Sequence, residues 1–296
     1  MATLYAKTAE KHGWGVDAAL LARMQAANAA KVAEFDAAVV NAREKFGDVE
    51  VLEQQRLKAE YLASVGDRAA AMVAYGALAE RVMSTGQKID VAMAKARLAL
   101  QHADWADAKA RISEAKALNE VGGDWDRRNR LKVYEGLHAL AVRDFKLAAE
   151  LLLSSVATFT ATEVLTFESF VSYTVIASLK SLDRVSLKKQ VVDAPDILSI
   201  LRDLPLEGNL LNAFYECRYR DFLQALVDLH ATFLRNRYLY RHAAFYLREM
   251  RLAAYVQFLE SYKSYVCVCT GCGGRCLRAR LLIHTLSPPP PPPPPP

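Results

Sequence analysis

Proline is nearly missing from the body of this 296-residue chain. Nine of its eleven prolines occupy positions 288–296, which leaves Pro195 and Pro205 for the first 287 residues. Glycine is scarce as well, at 13. An all-β sandwich turns about every ten residues and draws on Gly and Pro to do so. A body this poor in breakers is no such sandwich; it reads as helix after helix. Five cysteines are too few for a secreted disulfide scaffold. No run reaches the roughly 18 apolar residues of a membrane-spanning helix. The opening MATLYAKTAEKHGWGVD has no apolar h-region and no small-residue cleavage site, so no secretory signal is read there. Acids are absent from 265–296, which carries Arg275, Arg278 and Arg280. Removing these three charges takes the net +5 to +2 for the body. A near-neutral body gives little reason to propose a nucleic-acid surface, which relies on many phosphate contacts. The expectation is a soluble intracellular protein with reduced thiols.

A hydrophobic share of 52% with 24% charged residues excludes wholesale disorder. The length fits one large domain or two of about 150 residues. Residues 17–46 read as one long helix, capped by Asp17 and ended by Gly47, with Leu21, Met24, Val32, Phe35, Val39, Ala42 and Phe46 near helical spacing. From residue 49 the pattern changes to shorter helices: 49–65, 68–84, 90–102, 104–118, 126–142, 144–158, 166–182, 186–192, 195–203, 207–217, 220–235 and 239–264. Short connections make consecutive helices antiparallel neighbours. The segment 166–182 is apolar nearly all round, and its length favours a central buried helix over a strand.

An internal repeat runs through these pairs. A small residue (Ala71, Ala108, Ala148, Ala225) is followed four positions later by Tyr75, Ile112, Leu152 or Leu229. Three positions before it stands Arg68, Trp105, Phe145 or Phe222, and Arg-Asp-Phe recurs literally at 143–145 and 220–222. Small residues let paired helices approach closely. A period near 37–40 residues is that of a tetratricopeptide-like helical-pair solenoid.

Chemistry-bearing motifs are few. The densest polar run, 122–131, releases one helix at two glycines and caps the next with Asp124 or Asp126. Arg127, Arg128 and Arg130 follow, and cations at a helix start call for acids nearby or on a partner. With Trp125 they form the candidate subunit-contact patch, since aromatics and arginine favour interfaces. Cys267, Cys269, Cys272 and Cys276, with His284 downstream, could suit zinc or an iron–sulfur cluster, but four ligands within ten residues cannot wrap a metal as two separated knuckles do. No metal and no cofactor is expected. Cys217 reads as a small buried residue within a helix. His138, alone in a helix, reads as core-edge or surface. Aromatics and arginines at 235–248 read as one packed face with a charged rim. No nucleophile elbow, phosphate loop or zinc-protease motif occurs, so no catalytic residue is assigned.

The run GGDWDRRNRLKVYEGLHALAVRDFKLAAELLLSSVATF, with WGVDAALLARMQAAN, KAEYLASVGDRAAAM, FYECRYRDFLQAL and YLREMRLAAYVQFLESY, resembles the PCI-domain lid subunits of the 26S proteasome regulatory particle. The resemblance covers nearly all of 1–264. A paralogue, the first subunit of the signalosome, shares the architecture, but the Asp-Trp-Asp-Arg-Arg-Asn-Arg and Tyr-Glu-Cys-Arg-Tyr runs are closer to the proteasome group. The resemblance implies an all-α, right-handed helical-pair solenoid carrying the helical part of a PCI domain. It implies a non-enzymatic scaffold in a hetero-oligomer with other lid subunits and the ATPase ring, in cytoplasm and nucleus, without nucleic acid or membrane. The expected division is an N-terminal long helix (1–47), helical repeats (48–160), an incomplete PCI domain without its winged helix (161–264) and a disordered Cys/Arg/Pro-rich tail (265–296). That tail departs from the family pattern after Ser264 and resembles translated non-coding sequence. A Cys-rich metal-binding tail module is the reading from another class.

Overall fold

A computed structural model describes residues 2–260. The tail, its cysteines and the expected disorder and missing winged helix lie outside the described residues. Among the described residues every regular element is helical. The chain begins with α1 (Ala2–His12) and α2 (Ala18–Lys45). There follow α3 (Asp48–Val65), α4 (Arg68–Arg81), α5 (Thr85–Gln101), α6 (Trp105–Gly122), α7 (Trp125–Ala141) and α8 (Phe145–Leu153). The second half holds α9 (Phe167–Ser181), α10 (Arg184–Leu187), α11 (Pro195–Leu201), α12 (Pro205–Tyr215), α13 (Tyr219–Arg235) and α14 (Ala243–Leu259). Both body prolines sit at a helix start, where the missing N–H costs nothing.

The long helix is capped as expected: the Asp17 carboxylate accepts from the N–H groups of Ala19 and Leu20 at 3.0 and 3.1 Å. The sequence reading did not anticipate α1, a short helix with only Ala2 and Ala9 buried among the side chains described. It also ran three helices too far or too regularly. Residues 144–158 end as a helix at Leu153 and finish in a 3-10 turn, Val156–Thr158. Residues 186–192 become α10 and a π turn, Lys188–Val192. A 3-10 turn, Tyr240–His242, precedes α14.

From α2 to α9 each helix packs on the next in sequence, as in a solenoid. The pairs α3–α4, α5–α6, α7–α8 and α12–α13 share one joint. Its pivot has left-handed backbone: Gly66 (φ 89°), Ala103 (φ 56°), Arg143 (φ 72°) and Cys217 (φ 60°). The residue after each pivot returns its N–H to a carbonyl five positions back: Asp67 to Leu62 at 3.2 Å, Asp104 to Ala99 at 3.1 Å, Asp144 to Ala139 at 2.8 Å and Arg218 to Ala213 at 2.9 Å. This satisfies the orphan carbonyls of the first helix. In the first three joints the same residue caps the second helix. Asp67, Asp104 and Asp144 accept from the N–H groups of Ala70, Asp107 and Leu147 at 3.1, 3.2 and 3.1 Å. Arg218 caps nothing through its side chain; it pairs with Glu216 at 2.7 Å and Asp221 at 2.6 Å. Only Gly66 takes the pivot without strain; Ala103, Arg143 and Cys217 hold it at a cost of about 1–2 kcal/mol each.

The joint corrects two sequence expectations. At 143–145 Arg-Asp-Phe spans pivot, cap and first helical residue, whereas at 220–222 it lies inside α13, three positions later. Phe222, not Ala225, therefore takes the place of Ala148, and Leu226 that of Leu152. Cys217 is the half-buried pivot of the last joint and not a helical residue.

Measured from the joint, small residues hold matching positions in both helices of the first three units: Ala59 and Ala71, Ala96 and Ala108, Gly136 and Ala148. The five alanines are all fully buried. Gly136 shows how close the helices come, since a Cβ there would lie 2.8 Å from Leu152 Cδ2. In the last unit Leu210 and Phe222 replace the small pair, both fully buried. The stacking also changes there. The helix α9 touches α8, α11, α12 and α14, so the second half closes into a bundle around it. Nine of its fifteen residues are buried. The Tyr246 hydroxyl donates to the Ile176 carbonyl at 3.0 Å within this core. Buried His242 ties the bundle to the solenoid: its Nε2 faces the Ala141 carbonyl at 2.8 Å and its Nδ1 accepts from Arg143 Nε at 3.1 Å. These partners require the neutral imidazole with its proton on Nε2.

Candidate functional site

The α6–α7 connection sets up the arginine run. Asp124 caps α7, its carboxylate accepting from the Arg127 N–H at 2.9 Å. Asp126, the other candidate cap, accepts instead from the Thr160 hydroxyl at 2.8 Å. The helix then divides the four patch residues between two faces. Arg127 and Arg130 turn inward and are about three-quarters buried, their side chains 25% exposed. Trp125 is 64% exposed, and Arg128 is exposed with no ion-pair partner among the described residues.

The inward pair is held by acids from other helices. Arg127 donates from Nε and Nη2 to the two oxygens of Asp90 on α5, at 3.0 and 2.7 Å. Its Nη1 meets Asp124 at 2.5 Å. Its guanidinium lies against Gly86, where a Cβ would come within 3.0 Å of Nη1. Arg130 donates from Nε and Nη2 to Glu163 Oε1 at 3.1 and 2.8 Å, and the Tyr134 hydroxyl donates to the same oxygen at 3.2 Å. Hydrogen bonding to Asp90 holds the Arg127 guanidinium above its ordinary range. Burial opposes ionisation of Arg130, but hydrogen bonding and charge from Glu163 prevail and raise it. Burial likewise pushes the Tyr134 phenol well above its ordinary range, assisted by the Glu163 charge. Two-point ion pairs of this kind fix helix orientation more than surface pairs do.

Beside this network lies a cavity of about 530 Å³ between α3, α4, α5 and α7. Leu52, Leu78, Val91 and Met93 supply apolar wall, and Arg56, Arg97 and Arg130 line it with Glu53, Glu60 and Asp90. Arg56 is bound on both sides, to Glu53 at 2.5 Å and Glu60 at 2.6 Å. Arg97 has no carboxylate partner among the described residues. Sequence reasoning missed this cavity and the acids that hold the arginines. One signal was available: Arg68 with Asp104, Asp90 with Arg127, and Arg130 with Glu163 are separated by 36, 37 and 33 residues, about one repeat. Opposite charges one unit apart mark stacked helices.

Among the described residues no group of three or more His, Cys, Asp and Glu could hold a metal ion. No described helix is long and apolar enough to cross a membrane. His138 lies half-buried, its Nε2 3.1 Å from the Trp105 carbonyl. The cysteine cluster at 267–276 lies outside the described residues.

The family model of the 26S proteasome subunit RPN7 matches residues 17–190, which includes the first three joints, the arginine run and the cavity. The chain belongs to the RPN7 family. Its RPN7 relatives match it over about half to two-thirds of their own length. The 26S proteasome non-ATPase regulatory subunit 6 homolog of Arabidopsis thaliana is 42% identical over 264 residues, 89% of this chain and 68% of the relative. The 26S proteasome non-ATPase regulatory subunit 6 of Dictyostelium discoideum is 38% identical over 264 residues, with 89% and 69% covered. The 26S proteasome regulatory subunit RPN7 of Saccharomyces cerevisiae is 41% identical over 209 residues, with 69% and 49% covered. Of the two groups named by the sequence resemblance, the proteasome group is therefore the right one. The RPN7 match also spans both inward arginines and their acids, Asp90, Asp124 and Glu163.

Proposed function

We propose that this chain is a non-catalytic scaffold in the lid of the 26S proteasome regulatory particle and supports ubiquitin-dependent degradation by holding other subunits in place. Membership of the RPN7 family carries the reading. The fold supports it: α2 runs for 28 residues with only Ala42 buried, so most of its surface is free for other chains. Its partners on this reading are other lid subunits and the ATPase ring, without nucleic acid or membrane, in cytoplasm and nucleus. The outward pair Trp125 and Arg128 is the contact patch; an exposed aromatic beside an unpaired arginine is the pairing that interfaces favour. The residues from 161 to 264 act as the helical part of a PCI domain. The test is affinity purification of the tagged full-length chain, with partners identified by mass spectrometry. Lid subunits in stoichiometric amounts are the expected result. Their absence, or recovery of a deneddylating complex in their place, sinks the assignment. Trp125→Ala with Arg128→Ala should lower recovery while leaving the melting temperature unchanged.

A further inference from the structure

The cavity between α3, α4, α5 and α7 brings together one arginine that faces no carboxylate and one buried hydroxyl. Arg56 is occupied by Glu53 and Glu60, and Arg130 by Glu163. Arg97 alone among the cations lining the cavity has no acid opposite it. The Tyr75 side chain, 1% exposed, lines the same space, and its hydroxyl has no hydrogen-bond partner of standard geometry. A buried hydroxyl short of a well-formed hydrogen bond costs up to about 1–3 kcal/mol, and a ligand oxygen that accepts from it recovers part of that. Tyr75 and Arg97 line the same cavity; burial raises the Tyr75 phenol above its ordinary range, while the Arg97 charge and a hydrogen bond with its guanidinium pull it down. Leu52, Leu78, Val91 and Met93 supply apolar wall beside them.

We propose that this cavity receives an acidic side chain of a partner polypeptide, its carboxylate bonded by the Arg97 guanidinium and the Tyr75 hydroxyl and its methylene stem packed on the apolar wall. Arg56, Arg97 and Arg130 balance Glu53, Glu60 and Asp90 along the walls, so one added negative charge beside Arg97 is tolerated better than two. Glu53, Glu60 and Asp90 line the same cavity and repel the second charge of a phosphate group. The volume is ample for one or two side chains and small for a folded element. The inference rests on the scaffold reading only for the source of the carboxylate, a neighbouring subunit.

The test uses the isolated full-length chain, so that it is decided separately from co-purification. Met93 lines the cavity and is 1% exposed, and its methyl signal, assigned with Met93→Leu, serves as reporter in a chain labelled with ¹³C-methyl methionine. The probes are the capped pentapeptide Ala-Leu-Glu-Leu-Ala, its Gln counterpart and inorganic phosphate. The Glu peptide shifts the Met93 signal saturably below about 10 mM. The Gln peptide binds at least about tenfold more weakly, because a charge-assisted hydrogen bond is lost. Arg97→Ala brings the same loss, Arg97→Lys a smaller one, and Tyr75→Phe a few-fold loss by about one neutral hydrogen bond. No shift with the Glu peptide, equal response to the two peptides, or tighter binding of phosphate overturns the proposal. So does an unchanged response in Arg97→Ala at wild-type melting temperature. Should Arg97→Ala not fold, the comparison of the two peptides on the wild-type chain decides. A chain that binds the Glu peptide but recovers no lid subunits overturns the scaffold reading alone.

Discussion

Helices α2 and α9 make opposite use of apolar side chains. In α2, 28 residues long, one half-buried stripe runs along a single side and only Ala42 is buried. In α9, 15 residues long, nine are buried and the contacts come from four other helices. Length therefore says nothing about how much of a helix the fold holds. The difference is one of neighbours: α2 packs on α1 and α3, while α9 is enclosed. Stability should concentrate around α9 and availability to other chains along α2, with the pairs between them grading from one regime to the other.

The sharpest way to break this contrast is to remove one ring from each helix. Phe170 in α9 is fully buried and packs against Phe159 with ring centroids 4.6 Å apart. Phe35 in α2 is half-buried and meets Tyr61 at 5.5 Å. Phe170→Ala should cost about 3–5 kcal/mol in urea unfolding, and Phe35→Ala about 1 kcal/mol. Equal losses would erase the distinction between the two helices.

Alkaline titration attacks the α9 side next. Tyr238 is buried edge-on against Tyr173 of α9 with ring centroids 5.8 Å apart, and burial, with the Tyr173 charge, pushes its phenol up to about 12. A phenol whose value is raised by folding keeps its proton longer in the native state. The unfolded chain, titrating near 10, then releases protons first, and stability falls as pH rises between about 10 and 12. The loss from Tyr238 should approach about 1.4 kcal/mol for each pH unit in that window. Unfolding followed by tyrosinate absorbance and by circular dichroism at pH 9 and about pH 11 checks it; Tyr238→Phe should flatten the slope. The smallest effect is reserved for the outer face of α2. Val40 is 54% exposed, and Val40→Ala should change the unfolding free energy by no more than about 0.5 kcal/mol.

Both helices were legible in the sequence for reasons that the structure bears out. Asp17 and the spacing of Leu21, Met24, Val32, Phe35 and Val39 announce an amphipathic helix, and all five apolar residues lie on the half-buried stripe. Phe46, assigned to the same stripe, sits at the C-cap and is 60% exposed. The all-round apolar pattern of 166–182 announced burial, and α9 is buried. What periodicity could not reveal is the joint. A literal tripeptide match outweighed backbone geometry in the sequence reading, because the left-handed residue may be Gly, Ala, Arg or Cys and so leaves no constant letter. The candidate site was half legible for a similar reason. Clustered arginines at a helix start demanded acids. Which acids, and on which helices, followed only from stacking α7 on α5 and from the turn that brings Glu163 back. Arg97 drew no notice because its significance lies in the partner it lacks.

The joint described for the helix pairs has a consequence for how such a chain can vary in length. In the first three joints one aspartate both closes the helix behind it and opens the helix ahead, so no slack exists between the two. A single residue inserted there would turn the following helix by about 100° about its axis and carry its seam of small residues away from the facing helix. The spacings between pivots, 37 residues from Gly66 to Ala103 and 40 from Ala103 to Arg143, differ while the joint itself keeps its length. The elbows act as phase locks, and insertions that survive in relatives of this chain should cluster in the connections between pairs.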